Sequence, residues 1–203
     1  MTETTKAMDI LSTVYPAPSD LAVAKELDHL DAYCRRFIEL SPFVVLATAG
    51  NGFCDASPRG DKPGFVVILD DRTLVIPDRP GNNRIDSHRN LAERPEVGLL
   101  FLIPGYEETL RIRGQATISV DEGLLTRTAV DGRSPRSVLL VAVQSAFYHC
   151  GKCMRRSELW RPETWPPRTA LPSLGQILAA QIEGSSAEAL DARINESYTT
   201  RLY

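Results

Sequence analysis

Leu74-Val75-Ile76-Pro77-Asp78-Arg79-Pro80-Gly81-Asn82-Asn83-Arg84-Ile85-Asp86-Ser87 runs from a short apolar strand through a Pro/Gly/Asn loop into a helix. Pro80-Gly81 breaks the strand, Asn82 or Asn83 can cap the helix, and the backbone N–H groups of its first turn can point at an anion. Arg79 and Arg84 add forked, charge-assisted donors that suit phosphate oxygens. The run therefore reads either as a phosphate seat or as an ordinary turn and helix cap, and these residues alone leave both open.

Outward from this junction the chain reads as a meander. Phe43 to Thr48 is a first strand, Gly50-Asn51-Gly52 a hairpin turn, and Phe53 to Ala56 a second strand. Ser57 to Gly64 is expected to interrupt the sheet as a loop, either solvated with an internal ion pair or functional. Phe65 to Leu69 and Thr73 to Ile76 are strands about an Asp70-Asp71 turn, and a helix is expected from about Arg84 to Glu93, with His88 on its surface. Val97 to Ile103 reads as a strand covered on both faces, whereas Thr109 to Ser119 alternates, with a break at Gly114.

Toward the ends the elements are helical. One helix is expected from Ser19-Asp20 through Leu27, Leu30, Cys34, Phe37 and Ile38, closed by Ser41-Pro42. Asp121 to Leu125 begins a short helix, Ser137 to Val143 is a buried strand, and Gln144 to Trp160 is compatible with a helix carrying His149, Lys152 and Arg156 on one face. A proline-rich stretch, Trp160 to Pro172, precedes two helices over Ser173 to Glu183 and Ser186 to Tyr198.

Composition narrows the class. With 203 residues, one domain with a core that needs no disulfide or metal is expected: helical segment 1–42, barrel and site 43–160, Pro-rich segment and C-terminal helices 161–203. A net charge of −3 argues against a general nucleic-acid or anionic-membrane surface. Met1 to Thr13 is polar, and no run approaches the roughly 18 apolar residues of a membrane span, so a cytoplasmic protein is expected. Of the four cysteines, Cys150 and Cys153 have redox or zinc spacing, but Cys34 and Cys54 make no second close pair. No metal is expected, and reduced, partly buried thiols are the favoured reading over a redox role.

The order of these motifs resembles the pyridoxamine 5'-phosphate oxidase-like FMN-binding split-barrel family, an α+β fold that is mainly β with flanking helices. Ser57-Pro58-Arg59-Gly60-Asp61, Asp78 to Arg84 and His149-Cys150-Gly151-Lys152 resemble a subgroup regarded as FMN-dependent enzymes, and the resemblance covers about Phe43 to Trp160. It implies FMN held by Arg59, Lys62, Pro77, Asp78, Arg79, Asn82, Asn83, Arg84, Ser87, Thr109 and Arg111, with Asp61 orienting Arg59 or Lys62. His149 and Lys152 become the candidate catalytic residues on the substrate side. It also implies a homodimer with flavin at the subunit interface.

The expected activity is an FMN-dependent oxidoreductase acting on a small organic substrate, with NAD(P)H as a passing donor. A flavin carrier or sensor is the alternative, or a split barrel holding haem on His149 or a deazaflavin. True pyridoxamine phosphate oxidases carry a C-terminal Arg-x-His element, and here no histidine follows His149, which disfavours vitamin B6 oxidation. No Gly-x-Gly-x-x-Gly follows a strand, so a Rossmann fold is disfavoured.

Overall fold

A computed structural model of the chain describes residues 3–203; Met1 and Thr2, the start of the expected 1–42 helical segment, lie outside the described residues. Seven strands form one antiparallel sheet in the order β2-β1-β5-β6-β7-β4-β3. They are β1 (Phe43–Gly50), β2 (Phe53–Gly60), β3 (Val67–Ile68), β4 (Thr73–Pro77), β5 (Glu96–Leu102), β6 (Thr109–Ser119) and β7 (Val138–His149). The helices are α1 (Glu3–Val14), α2 (Asp20–Ala24), α3 (Ala32–Leu40), α4 (Asp86–Glu93), α5 (Glu122–Arg127), α6 (Lys152–Ser157), α7 (Leu174–Gln181) and α8 (Ala187–Thr200). Two short 3-10 turns, Pro162–Thr164 and Arg168–Ala170, punctuate the proline-rich stretch.

The sheet curls until its two ends meet. Arg59 on β2 donates to Asp78 just beyond β4 at 2.9 Å, and Arg79 donates to Asp61 at 2.6 Å. These two ion pairs stitch the first strand in the sheet order to the second-last, the closure of a split barrel. Inside it, alternate residues of β1 (Val44, Leu46, Thr48) meet Leu99 and Phe101 of β5 and Leu110 and Ile112 of β6, all buried. Burying each such aliphatic or aromatic side chain stabilises by about 1.5–3 kcal/mol.

Local chemistry accounts for the turns that hold the barrel's helix in place. Asn51 (φ 49°) and Gly52 (φ 79°) make the left-handed pair of a two-residue hairpin. Gly50 lets α4 come close, since a Cβ there would stand 2.5 Å from Asn90 Oδ1. Asn90 Nδ2 in turn donates to Thr48 Oγ1 at 3.0 Å, and Glu93 accepts from the Asn51 amide at 3.0 Å. Thus the C-terminal half of α4 is clamped to β1 and to the turn that follows it.

Several elements differ from their sequence reading. Ser57 to Gly60 continues β2 instead of forming a loop; Pro58 is tolerated because β2 is an edge strand with no further partner. The long helix from Asp20 to Ile38 is broken. Leu27 instead bridges Ala146 with both backbone hydrogen bonds (3.0 and 2.8 Å), where β7 has run past the end of β4. A new helix, α3, then starts from Asp31, whose carboxylate accepts from the Cys34 amide. The Phe65 to Leu69 strand shrinks to Val67–Ile68, and β5 is fully buried on one face only.

The stretch Gln144 to His149 is strand, because Phe147 pairs with Arg111 and His149 with Thr109 in the β6–β7 ladder. His149 and Lys152 therefore share no helical face. The break at Gly114 is a bulge in that ladder, and a Cβ there would collide with the Ala142 carbonyl oxygen.

Candidate functional site

The junction between β4 and α4 opens into a cleft of about 900 Å³, within the usual range for a small-molecule site. Its walls come from the end of β2, the 77–88 run, the 133–136 loop and the C-terminal segment. No asparagine caps α4. Its N-cap is Ile85, in the left-handed region (φ 51°, ψ 27°) and without a side-chain cap bond. Asn82 Oδ1 accepts from the Arg84 amide at 3.1 Å, and Asn83 Oδ1 accepts from Arg136 at 3.2 Å.

This local geometry is costly for its residue types. A β-branched residue in the left-handed region sacrifices about 1–2 kcal/mol, and Asn83 (φ 59°) lies in the same region two residues earlier. The result is a helix start whose first N–H groups, at Asp86 and Ser87, have no side-chain cap and border the cleft.

Around this start the charges are paired and sheltered. The Asp61 side chain is only 2% exposed and holds Arg79, which also donates to the Thr128 carbonyl at 2.9 Å and lies 5.8 Å from the Tyr203 ring. Tyr203 Oη donates to Asp61 at 2.6 Å. Burial pushes the Asp61 carboxyl up, but the bonds from Tyr203, the Lys62 amide and Arg79 outweigh it and leave it below the usual carboxylate range. Asp61 thus orients Arg79 rather than Arg59 or the Lys62 ammonium.

His88 is not on the surface. Its side chain is 11% exposed, with Nε2 lying 3.4 Å from Ser137 Oγ and 3.8 Å from Asp78. Burial holds its imidazole below the ordinary value, with Asp78 opposing and Arg59 reinforcing the shift. Two buried nitrogens beside the cleft, Arg59 Nε and His88 Nδ1, have no protein partner among the described residues. An unspent guanidinium donor beside an uncapped helix start suits an anionic oxygen cluster, so the residues present fit a phosphate monoester.

Of the expected binding residues, the cleft gathers Arg59, Pro77, Asp78, Arg79, Asn82, Asn83, Arg84 and Ser87. Arg84 stands at the rim, with a side chain 75% exposed and bonded to Asp86 at 2.8 Å. Lys62, Thr109, Arg111, His149 and Lys152 do not line it. Lys62 is exposed; Thr109 is buried in the β6–β7 ladder opposite His149; Arg111 lies 5.1 Å from the Phe147 ring. Lys152 is exposed at the start of α6.

Residues that the sequence reading did not assign also line the cleft, among them His88, Arg133, Arg136, Arg201 and Tyr203. Tyr203 had no local signal, since its bond to Asp61 spans 142 positions. His88 had one: it falls in the first turn of α4, directly after Ser87. Among the described residues no group of three or more His, Cys, Asp or Glu side chains is arranged for a metal, and no helix is long and apolar enough to cross a membrane.

An antiparallel split barrel with an arginine-lined cleft between its closing strands defines the class. The family model described as pyridoxamine 5'-phosphate oxidase matches residues 30–150, and the chain belongs to that family, whose fold is a flavin-binding one. No curated protein matches the chain significantly. Among solved structures, HupZ of Group A Streptococcus is 18% identical, with a TM-score of 0.48 and 58% of this chain and 92% of that chain covered. A Clostridium acetobutylicum protein related to general stress protein 26 of B. subtilis (pyridoxinephosphate oxidase family) is 15% identical, with a TM-score of 0.46 and 58% of this chain and 86% of that chain covered. Membership rests on the matched stretch and not on these distant likenesses.

Proposed function

We propose that the cleft binds FMN and that the chain is an FMN-dependent oxidoreductase acting on a small organic substrate, with NAD(P)H as electron donor. The observation that carries this reading is the uncapped start of α4 beside the buried, unpartnered Arg59 Nε. Arg59 and the first-turn amides of α4 would hold the phosphate, and Asp78 would keep the Arg59 guanidinium turned toward it. Arg79, locked by Asp61 and Thr128, would add a fixed positive charge, and Phe65 and Pro77 would keep water from one wall.

The isoalloxazine ring supplies hydride and electron transfer when bound, so the chain needs no side-chain nucleophile. Thr109, Arg111, His149 and Lys152 lie outside this chain's cleft, and in a homodimer with the flavin between subunits, which we also propose, they would act from the second copy. A cytoplasmic location accords with the unpaired thiols Cys34, Cys54, Cys150 and Cys153. His149, the one histidine offered for haem, lies outside this chain's cleft.

The test is the absorption spectrum of the purified protein, the mass of what heat releases, and turnover with NAD(P)H and an artificial acceptor. Flavin bands, released FMN and steady turnover are expected. FMN without turnover would reduce the protein to a carrier, and a Soret band would overturn the reading.

A further inference from the structure

The sequence Cys150-Gly151-Lys152-Cys153 belongs to neither the cleft nor the core. Both thiols are free and exposed, which corrects the expectation that they would be partly buried. They flank the turn that leaves β7 and enters α6, with Gly151 as the N-cap of that helix. The turn is held firmly. A Cβ on Gly151 would stand 2.5 Å from the Glu107 Cβ, so only glycine lets the chain pass this close to the β5–β6 connection. On the same connection Glu107 accepts from Arg155 at 2.5 Å, and the Tyr106 carbonyl accepts from Trp160 at 2.7 Å. Met154 is the buried residue of α6, next to the exposed Cys153.

We propose that Cys150 and Cys153 form a redox-active dithiol that cycles to an intramolecular disulfide by exchange with low-molecular-weight disulfides. Gly151 (φ −73°, ψ 5°) and the helical backbone of Lys152 make residues 150–153 a tight turn, whose first and fourth Cα atoms come within about 7 Å, the outer reach of a disulfide. The anchored turn holds this spacing while both sulfurs stay open to a small reagent. In the exchange, one cysteine thiolate attacks a sulfur of oxidised glutathione and releases one glutathione thiolate. The second cysteine then attacks the mixed disulfide and releases the other. The protein loses two electrons and two protons, and the small disulfide is reduced to two thiols. Cys34 is excluded, since its thiol is buried and burial pushes it up to about 12. Cys54 is exposed but stands alone on the β2 edge.

The experiment equilibrates the intact protein in graded mixtures of reduced and oxidised glutathione, quenches with a thiol alkylator and digests with trypsin. Cleavage after Lys152 separates the two cysteines, so an internal disulfide appears as peptide 137–152 joined to peptide 153–155. The linked pair is expected in a monomeric protein, to rise and fall reversibly with the ratio, and to persist in Cys54→Ser. Cys150→Ser and Cys153→Ser should each lose the link and carry glutathione on the remaining cysteine. Thiols that stay alkylatable throughout, glutathione added separately to both, or a link only between two chains would each overturn the proposal. None of these readouts depends on flavin, so the FMN reading can fail without it.

Discussion

Two cation-rich regions of this barrel are built on opposite terms. At the cleft, Arg59 and Arg79 are sheltered and each is locked to an aspartate, while the ladder end sets Arg111, Arg113 and Lys25 around one Phe147 ring. Of that trio only Arg113 has a carboxylate partner, Glu26 at 3.4 Å, with both side chains well exposed. The contrast separates preorganised charge from charge that is only present. An arginine fixed by its carboxylate before a ligand arrives need not be ordered by it, whereas an exposed one must be.

The contrast breaks most visibly at Arg79. Arg79→Ala would leave the Asp61 carboxylate buried with one partner fewer, and a loss of about 3–5 kcal/mol in urea unfolding is expected. Arg59→Lys keeps the charge but removes Nε and the forked donor set. FMN affinity should fall about ten-fold, or ~1.4 kcal/mol, with unfolding changed by less than that. Unchanged affinity would remove Arg59 from the phosphate seat.

His88 sharpens the comparison through pH. The unfolded chain takes up a proton as pH falls through about 6.5, whereas the buried imidazole, held below that value, does not. Folded stability should therefore drop as the solution is acidified across that window, and His88→Gln should lose this part of the slope in urea midpoints. Equal slopes would mean that His88 is solvated. The smallest effect is expected at the ladder end, where Arg111→Ala should cost about 0.5–1 kcal/mol, the value of an exposed cation–π contact.

What the sequence made legible follows the range of the interactions. The Asn51-Gly52 hairpin, the alternation of β6, and the helices capped by Ser173 and Ser186 are all decided within a few residues. The Phe147-Tyr148-His149 segment is not, because its periodicity suits helix and strand alike and pairing with β6 decides it. Likewise Leu27 leaves its helix only because β7 offers open backbone partners. In the cleft, the strand–loop–helix order of residues 74–93 was readable, but the Ile85 N-cap, the burial of His88 and the arrival of Tyr203 depend on tertiary packing.

The proposed function stands on a phosphate at the uncapped start of α4. The most direct test strips the protein of co-purified flavin and titrates it with FMN and with riboflavin, which differ only in that phosphate. FMN is expected to bind about ten-fold tighter or more, a difference of at least ~1.4 kcal/mol, with the gap narrowing at high salt. Equal affinity for the two flavins would contradict it and return residues 78–85 to the status of a strained turn.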